Sequence, residues 1–134
     1  MGVRRELEAN YDFEIVDEFL DHYAMMVDIL EPLIIDLEKS ELYERSVDEL
    51  FRIFHNIKSA AGFLKMEPMV RLSTLVENAL ETMRTQEGPA NKETVNWMLL
   101  ISDTFIQWQD DLKLDQELSK IDFALLKLPD LETL

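Results

Sequence analysis

The sequence predicts an all-α protein, an up-and-down antiparallel four-helix bundle with an additional C-terminal fifth helix. Three observations point there. Apolar residues recur at alternating three- and four-residue steps through most of the 134 positions, the period of one helix face. Only 3 Gly and 4 Pro are present, too few to build the turns of an all-β fold. The breaks between periodic stretches are short, and short connections make neighbouring helices antiparallel.

The first helix is expected from about Asp12 to Lys39, where Val16, Phe19, Tyr23, Val27, Leu30, Ile34 and Leu37 form one stripe. Pro32 falls inside it and predicts a kink or a break, because proline has no N–H and its ring collides with the preceding turn. Residues 41–46 are polar and read as a turn. A second helix follows from about Ser46 to Met66, burying Val47, Leu50, Phe54, Ile57, Ala61 and Leu64. Pro68 suits the first turn of a third helix, about Pro68 to Gln86, with Leu72, Leu75, Val76, Ala79 and Met83 inside; Gly88-Pro89 ends it. Asn91 is the expected N-cap of a fourth helix, whose stripe is Met98, Ile101, Phe105, Trp108 and Leu112. The fifth helix is placed at about Asp115 to Lys127 on Leu118, Ile121, Leu125 and Leu128, with Pro129 as its stop. With no repeat or linker in view, residues 1–134 read as one domain, with 1–10 a flexible or loosely packed arm and 115–134 the extra helix and tail.

Bulk properties remove several classes of function. A net charge of -15 argues against nucleic acid or an anionic membrane as partner, since both are bound through clustered Lys and Arg. No apolar run approaches the length that spans a bilayer, and residues 1–10 lack the apolar centre of a signal peptide. There is no Cys, hence no disulfide and no thiolate. A cytoplasmic protein is the expectation. The many carboxylates do not make a di-iron bundle, because neither His22 nor His55 has Glu three residues before it.

The chemistry-bearing segment is His55-Asn56-Ile57-Lys58-Ser59-Ala60-Ala61-Gly62-Phe63 in the second helix. At 100° per residue His55 lies about 120° from the centre of the buried stripe, on the solvent side. Ser59 and Gly62 follow at i+4 and i+7 and leave an open shelf around the imidazole. Gly62 costs roughly 1 kcal/mol of helix propensity relative to Ala, which suggests a need for clearance. Lys58 at i+3 can bring an ammonium alongside the ring.

Such a set suits phosphoryl transfer through a phosphohistidine. Imidazole titrates near pH 6.5, so an accessible histidine is largely neutral and nucleophilic at physiological pH. One nitrogen must keep its proton and be held, commonly by a carboxylate, so that the other presents its lone pair. The added phosphate needs a local cation, and one ammonium about 4 Å away offers a gross attraction on the order of 4 kcal/mol at an effective dielectric of 20. The residues alone leave the ordinary alternative open, a solvated surface histidine beside a solvated lysine. His22, without a small-residue shelf, reads as an ordinary surface or boundary histidine, and Trp97, off the main stripe, as a partly exposed contact.

His55-x-x-Lys58-Ser59-x-Ala61-Gly62 resembles the signature of histidine phosphotransfer (HPt) domains, commonly His-x-x-Lys-Gly/Ser-x-Ala/Ser-Gly. Glu77-Asn78-Ala79-Leu80-Glu81 further resembles the Glu-Asn-x-Leu-Asp/Glu of the N-terminal phosphoryl-accepting domain of CheA-type chemotaxis kinases. The resemblance spans about Val16 to Leu112 and is specific over Phe51 to Glu81. It implies that His55 is phosphorylated on the nitrogen remote from the backbone. Lys58 would support the phosphoryl group, Glu77 would bond the other ring nitrogen, and Gly62 would give a partner access. Arg52, Ser59 and Phe63 join Gly62 as expected partner-binding residues. Lys65 stands where the family frequently has Gly, a departure that touches the local backbone at the helix end.

The expected function is a phosphoryl carrier, not an enzyme by itself, in two-component or chemotaxis signalling. It would accept phosphate on His55 from a histidine kinase catalytic domain and pass it to the aspartate of a response-regulator receiver. No cofactor or metal is expected in the chain, since ATP and Mg²⁺ belong to the kinase and the receiver. A monomer without nucleic acid or membrane partners is expected. The alternatives are the excised N-terminal domain of a full-length CheA-type kinase and a helical adaptor that never carries phosphate.

Overall fold

In a computed structural model that describes residues 2–134, the chain is all-α among the described residues. Six α-helices run in the order α1 (Val3–Asn10), α2 (Phe13–Asp28), α3 (Leu30–Asp36), α4 (Ser40–Phe63), α5 (Glu67–Arg84) and α6 (Lys92–Lys113). A single 3-10 turn, η1 (Phe123–Leu126), follows them. Together α2 and α3 make one rod of the four-helix bundle, packed against both α4 and α6, and α5 lies along α4. Every residue of the stripe from Val16 to Leu37 is buried, as are the stripes expected in α4 and α6. Trp108, Phe54 and Phe105 meet edge-to-face at the centre, with centroids 5.0–5.3 Å apart. Two tyrosine hydroxyls tie rods together from inside: Tyr23 donates to the Phe105 carbonyl at 2.6 Å and Tyr43 to the Met83 carbonyl at 2.8 Å.

Several boundaries differ from expectation, each for a physical reason. The break expected at Pro32 falls at Ile29, ahead of it: the proline ring would meet the carbonyl of Asp28 in a continuous helix, so α3 restarts with Pro32 in its first turn. Residues 41–46 are helix rather than turn. Tyr43 and Ser46 are buried in register with Val47 and Leu50, while Glu41, Glu44 and Arg45 face solvent. The N-terminal arm is the helix α1, packed on α2 and α6 with Leu7 buried. As expected, Asn91 caps α6, its side chain accepting from the Thr94 N–H at 2.7 Å. In the α5–α6 loop, Gly88 has no substitute, since a Cβ there would lie 2.4 Å from Tyr43 side-chain atoms.

The extra element outside the bundle is η1 with extended chain on either side, not an α-helix over residues 115–127. Backbone groups that a helix would satisfy internally are met by side chains of the bundle instead. Trp108 and Trp97 donate their indole N–H groups to the carbonyls of Ser119 and Leu125, at 2.8 and 2.9 Å. Asp111, itself buried, accepts from the Ser119 N–H and hydroxyl, and Asn91 donates to the carbonyls of Asp130 and Glu132. Gln86 donates to Leu131 and accepts from Thr133, much as a neighbouring strand would. Trp97 is therefore a buried strut, not the partly exposed contact its place off the stripe suggested.

Candidate functional site

The site lies where α4 and α5 run side by side in opposite directions. In a helix the Cβ leans toward the N-terminus, so His55 rests over Phe51 one turn earlier, and the two rings are nearly parallel at 10° with centroids 6.2 Å apart. Antiparallel pairing sets the rest. Glu77 stands opposite His55, and Arg84, seven residues on, stands opposite Asp48, seven residues before His55.

Glu77 is the centre of the cluster. Its Oε1 lies 2.9 Å from His55 Nδ1, and its Oε2 accepts from Lys58 Nζ at 2.6 Å. The carboxylate is buried, 6% exposed, and each oxygen has a donor, so its charge is compensated on the spot. An ionised carboxylate offers only lone pairs, so the contacted Nδ1 carries the ring proton. That leaves Nε2 with its lone pair, on a side chain that is 54% exposed. An imidazole with one nitrogen held as donor and the other unprotonated at an open surface is arranged so that it can act as a nucleophile.

The structure brings His55, Lys58 and Glu77 together and spreads the other expected residues around them. Ser59 is exposed on the same helix face. Gly62 has open space where a Cβ would stand, with nothing within 4 Å. Phe63, 61% exposed, closes this face; its ring lies 5.7 Å from that of Tyr11, whose hydroxyl donates to the Phe63 carbonyl. Beside them a groove of about 330 Å³ runs between α2 and α4, lined by Ile15, Phe19, His22, Met26, Ala60 and Phe63 among others. His22 is thus a wall of the groove and not part of the histidine cluster. Arg52 is exposed in a depression shared with Asp48 and Glu49, apart from the three-residue cluster.

Two residues were not singled out by sequence reasoning. The Arg84 guanidinium sits 4.3 Å from the centroid of the Phe51 ring and is held there by Asp48 at 3.1 Å and Glu81 at 3.0 Å. The signal for Phe51 was its place at i-4 from His55; for Arg84 it was the matching seven-residue interval on the antiparallel partner helix. At the helix end Lys65 has φ 59, the left-handed conformation that favours Gly. Its N–H bonds the Gly62 carbonyl and the Met66 N–H bonds the Ala61 carbonyl, the two bonds of a Schellman cap. The residue that departs from the family's glycine therefore adopts a glycine-like backbone and turns the chain into α5. Among the described residues no three His, Asp or Glu side chains converge on a point fit for a metal ion, and no helix is long and apolar enough to cross a membrane.

A helical bundle presenting a carboxylate-held histidine belongs to a recognisable class. Residues 14–122 match the Hpt domain family, and the chain belongs to that family. It is 28% identical over 114 residues, 85% of its length, to the chemotaxis protein CheA of Borreliella burgdorferi. It is 26% identical over 90 residues, 67% of its length, to the chemotaxis protein CheA of Treponema pallidum. The chain spans 13% and 11% of those two relatives. No solved structure matches it significantly.

Proposed function

We propose that the chain is a phosphoryl carrier of two-component signalling, taking the group onto Nε2 of His55 from the catalytic domain of a histidine kinase and yielding it to a receiver aspartate. The observation that carries this reading is the 2.9 Å contact between His55 Nδ1 and the buried Glu77 carboxylate. In the first step the Nε2 lone pair forms a bond to the γ-phosphorus of ATP while the bond to the bridging oxygen breaks and its electrons leave with ADP. Nδ1 keeps its proton throughout, so the ring gains a positive charge that the Glu77 carboxylate, directly against it, stabilises. Lys58 is near enough to turn from Glu77 toward the phosphoryl oxygens, supplying a cation directly beside the ring in a protein of net charge -15. In the second step the same bond breaks toward an aspartate oxygen and the neutral imidazole is recovered. ATP and Mg²⁺ are the partners' own, and the carrier needs no cofactor. Docking uses the groove between α2 and α4 with the shelf of Ser59, Gly62 and Phe63, in a small transient interface. The medium of these exchanges is the cytoplasm, and the carrier works as a monomer.

The test is incubation with a CheA-type kinase core and labelled ATP. An acid-labile label that His55→Gln abolishes is the expected result. No label overturns the carrier and leaves a helical adaptor; label retained in His55→Gln overturns His55 as the acceptor.

A second form of this reading is favoured by the similarity to two CheA proteins of which the chain spans a small share. In it the chain is the phosphoryl-accepting part of a longer kinase. Whether the reading frame continues past Leu134 into a nucleotide-binding domain separates the two.

A further inference from the structure

On the carrier reading above, the orientation of the reactive ring decides whether Nε2 meets its donor. Glu77 grips His55 at one point, Nδ1, and a single hydrogen bond leaves the ring free to swing about that contact. The side chain is more than half exposed, so little else from the bundle restrains it. Beside it lies the Phe51 ring, within 10° of parallel and with its centroid 6.2 Å from that of the imidazole. Phe51 is in turn covered by the Arg84 guanidinium, which two carboxylates from different helices, Asp48 and Glu81, hold in place. The Arg84–Asp48 and Glu77–His55 pairings across antiparallel helices bracket Phe51, whose ring centroid is 4.3 Å from the guanidinium carbon and 6.2 Å from the imidazole centroid.

We propose that Phe51, backed by Arg84, is a positioning residue that sets the plane of the His55 imidazole, so that Nε2 points along one direction toward a docked partner. Glu77 supplies the pivot and the proton; Phe51 supplies the plane. The arrangement matters only when the phosphoryl donor is itself held in one pose, because misalignment of reacting atoms is costly in a docked complex. A small donor that diffuses freely can meet Nε2 from any side.

That difference is the test. Phosphorylation of His55 is followed in single turnovers with two donors. One is a CheA-type kinase core with ATP. The other is phosphoramidate, whose P–N bond breaks with release of ammonia as the bond to Nε2 forms. For Phe51→Leu, which keeps the bulk and loses the flat face, the limiting rate from the kinase is expected to fall about tenfold, well short of the hundredfold loss a 1 Å displacement can cause. The half-saturating kinase concentration and the phosphoramidate rate should stay within about twofold of the parent on the same ground. Phe51→Tyr, which keeps the ring, should restore the kinase rate. Arg84→Gln should slow the kinase reaction in the same direction by less. An unchanged kinase rate in Phe51→Leu, an equal loss with both donors, or a failure of Phe51→Tyr to recover overturns the positioning role. A silent Arg84→Gln overturns the part given to the guanidinium. Melting curves accompany each variant, and Phe51→Met replaces Phe51→Leu if the latter does not fold. His55→Gln run alongside keeps the two ideas apart: label surviving in it overturns His55 as the acceptor, whatever the Phe51 variants do.

Discussion

Oε1 of Glu77 and Nδ1 of His55 lie 2.9 Å apart across the α4–α5 seam, although 22 residues separate them in the chain. The pairing puts a buried acceptor under an exposed ring, so the acceptor's position is fixed by core packing while the imidazole stays accessible. Val76 and Ala79 on either side of Glu77 are fully buried, and Phe54 and Ile57 flank His55 in the same way. A shift of either helix would have to move that core.

Glu77→Ala is expected to slow phosphorylation roughly 10- to 100-fold, the scale on which removing a carboxylate partner impairs a functional histidine. The fold should persist, with stability changed by about 1 kcal/mol or less, because His55 and Lys58 can both turn to water. Single-turnover labelling and a denaturation curve measure the two effects; unchanged kinetics would count against the assigned role.

Lys58→Met should leave the His55–Glu77 contact in place and slow transfer about tenfold, equivalent to about 1.4 kcal/mol of lost phosphoryl stabilisation. The wild-type rate should fall as salt rises, and the variant should be less sensitive to it. A variant as fast and as salt-dependent as the parent would remove Lys58 from the mechanism.

Gly62 offers a way to part access from folding. Gly62→Ala meets no neighbour and should stabilise α4 by about 0.5–1 kcal/mol. Gly62→Trp should fold equally well yet weaken partner-dependent transfer, while phosphoramidate still labels it. Loss of labelling with both donors would show that the shelf serves the ring and not the partner.

Lys65→Gly should raise stability by about 1 kcal/mol, since the left-handed residue at the Schellman position costs a side-chain-bearing residue roughly that much. A urea midpoint that does not rise would mean that the Lys65 side chain repays the strain through contacts of its own.

Burial, with the charge of Asp111 as a lesser cause, pushes the Tyr23 phenol well above its ordinary pKa of 10.0. The folded state then binds a proton that the unfolded chain releases, so stability is intact below about pH 10 and declines as pH rises above it toward the folded value. Tyr23→Phe should flatten that alkaline decline. At neutral pH it should cost about 1 kcal/mol for the lost bond to the Phe105 carbonyl. Equal alkaline slopes in the two proteins would contradict this.

The rods of the bundle were legible because their apolar stripes are long and uninterrupted; each stripe residue from Met98 to Leu112 is buried as its spacing implied. His55, Lys58 and Gly62 were legible for the opposite reason, as small and titratable residues on a face where a bundle usually carries long charged ones. What misled was local composition. Residues 41–46 are polar in four of six positions, but helix α4 needs only Tyr43 and Ser46 turned inward there. The spacing of Leu118, Ile121 and Leu125 imitates a helix, yet in an extended segment the same spacing serves to drop occasional anchors into gaps. No single-segment pattern reveals that Trp97, Trp108 and Asn91 will supply that segment's hydrogen bonds, because those partners come from another part of the chain. The Arg84–Phe51 contact was hidden likewise, since it exists only once α4 and α5 are in register.

The fastening of the C-terminal segment has a practical corollary for anyone cutting this gene. A fragment trimmed to the family match, 14–122, would discard helix α1 and everything from Phe123 onward. Trp97 would then lose its acceptor at Leu125 and the segment that packs on it, while Thr94 would lose the carbonyl of Asp130. Each lost hydrogen bond costs about 0.5–1.5 kcal/mol, in a protein class whose whole margin is about 5–15 kcal/mol. The stretch by which relatives are recognised is shorter than the stretch that must be expressed for the histidine to stand on solid ground.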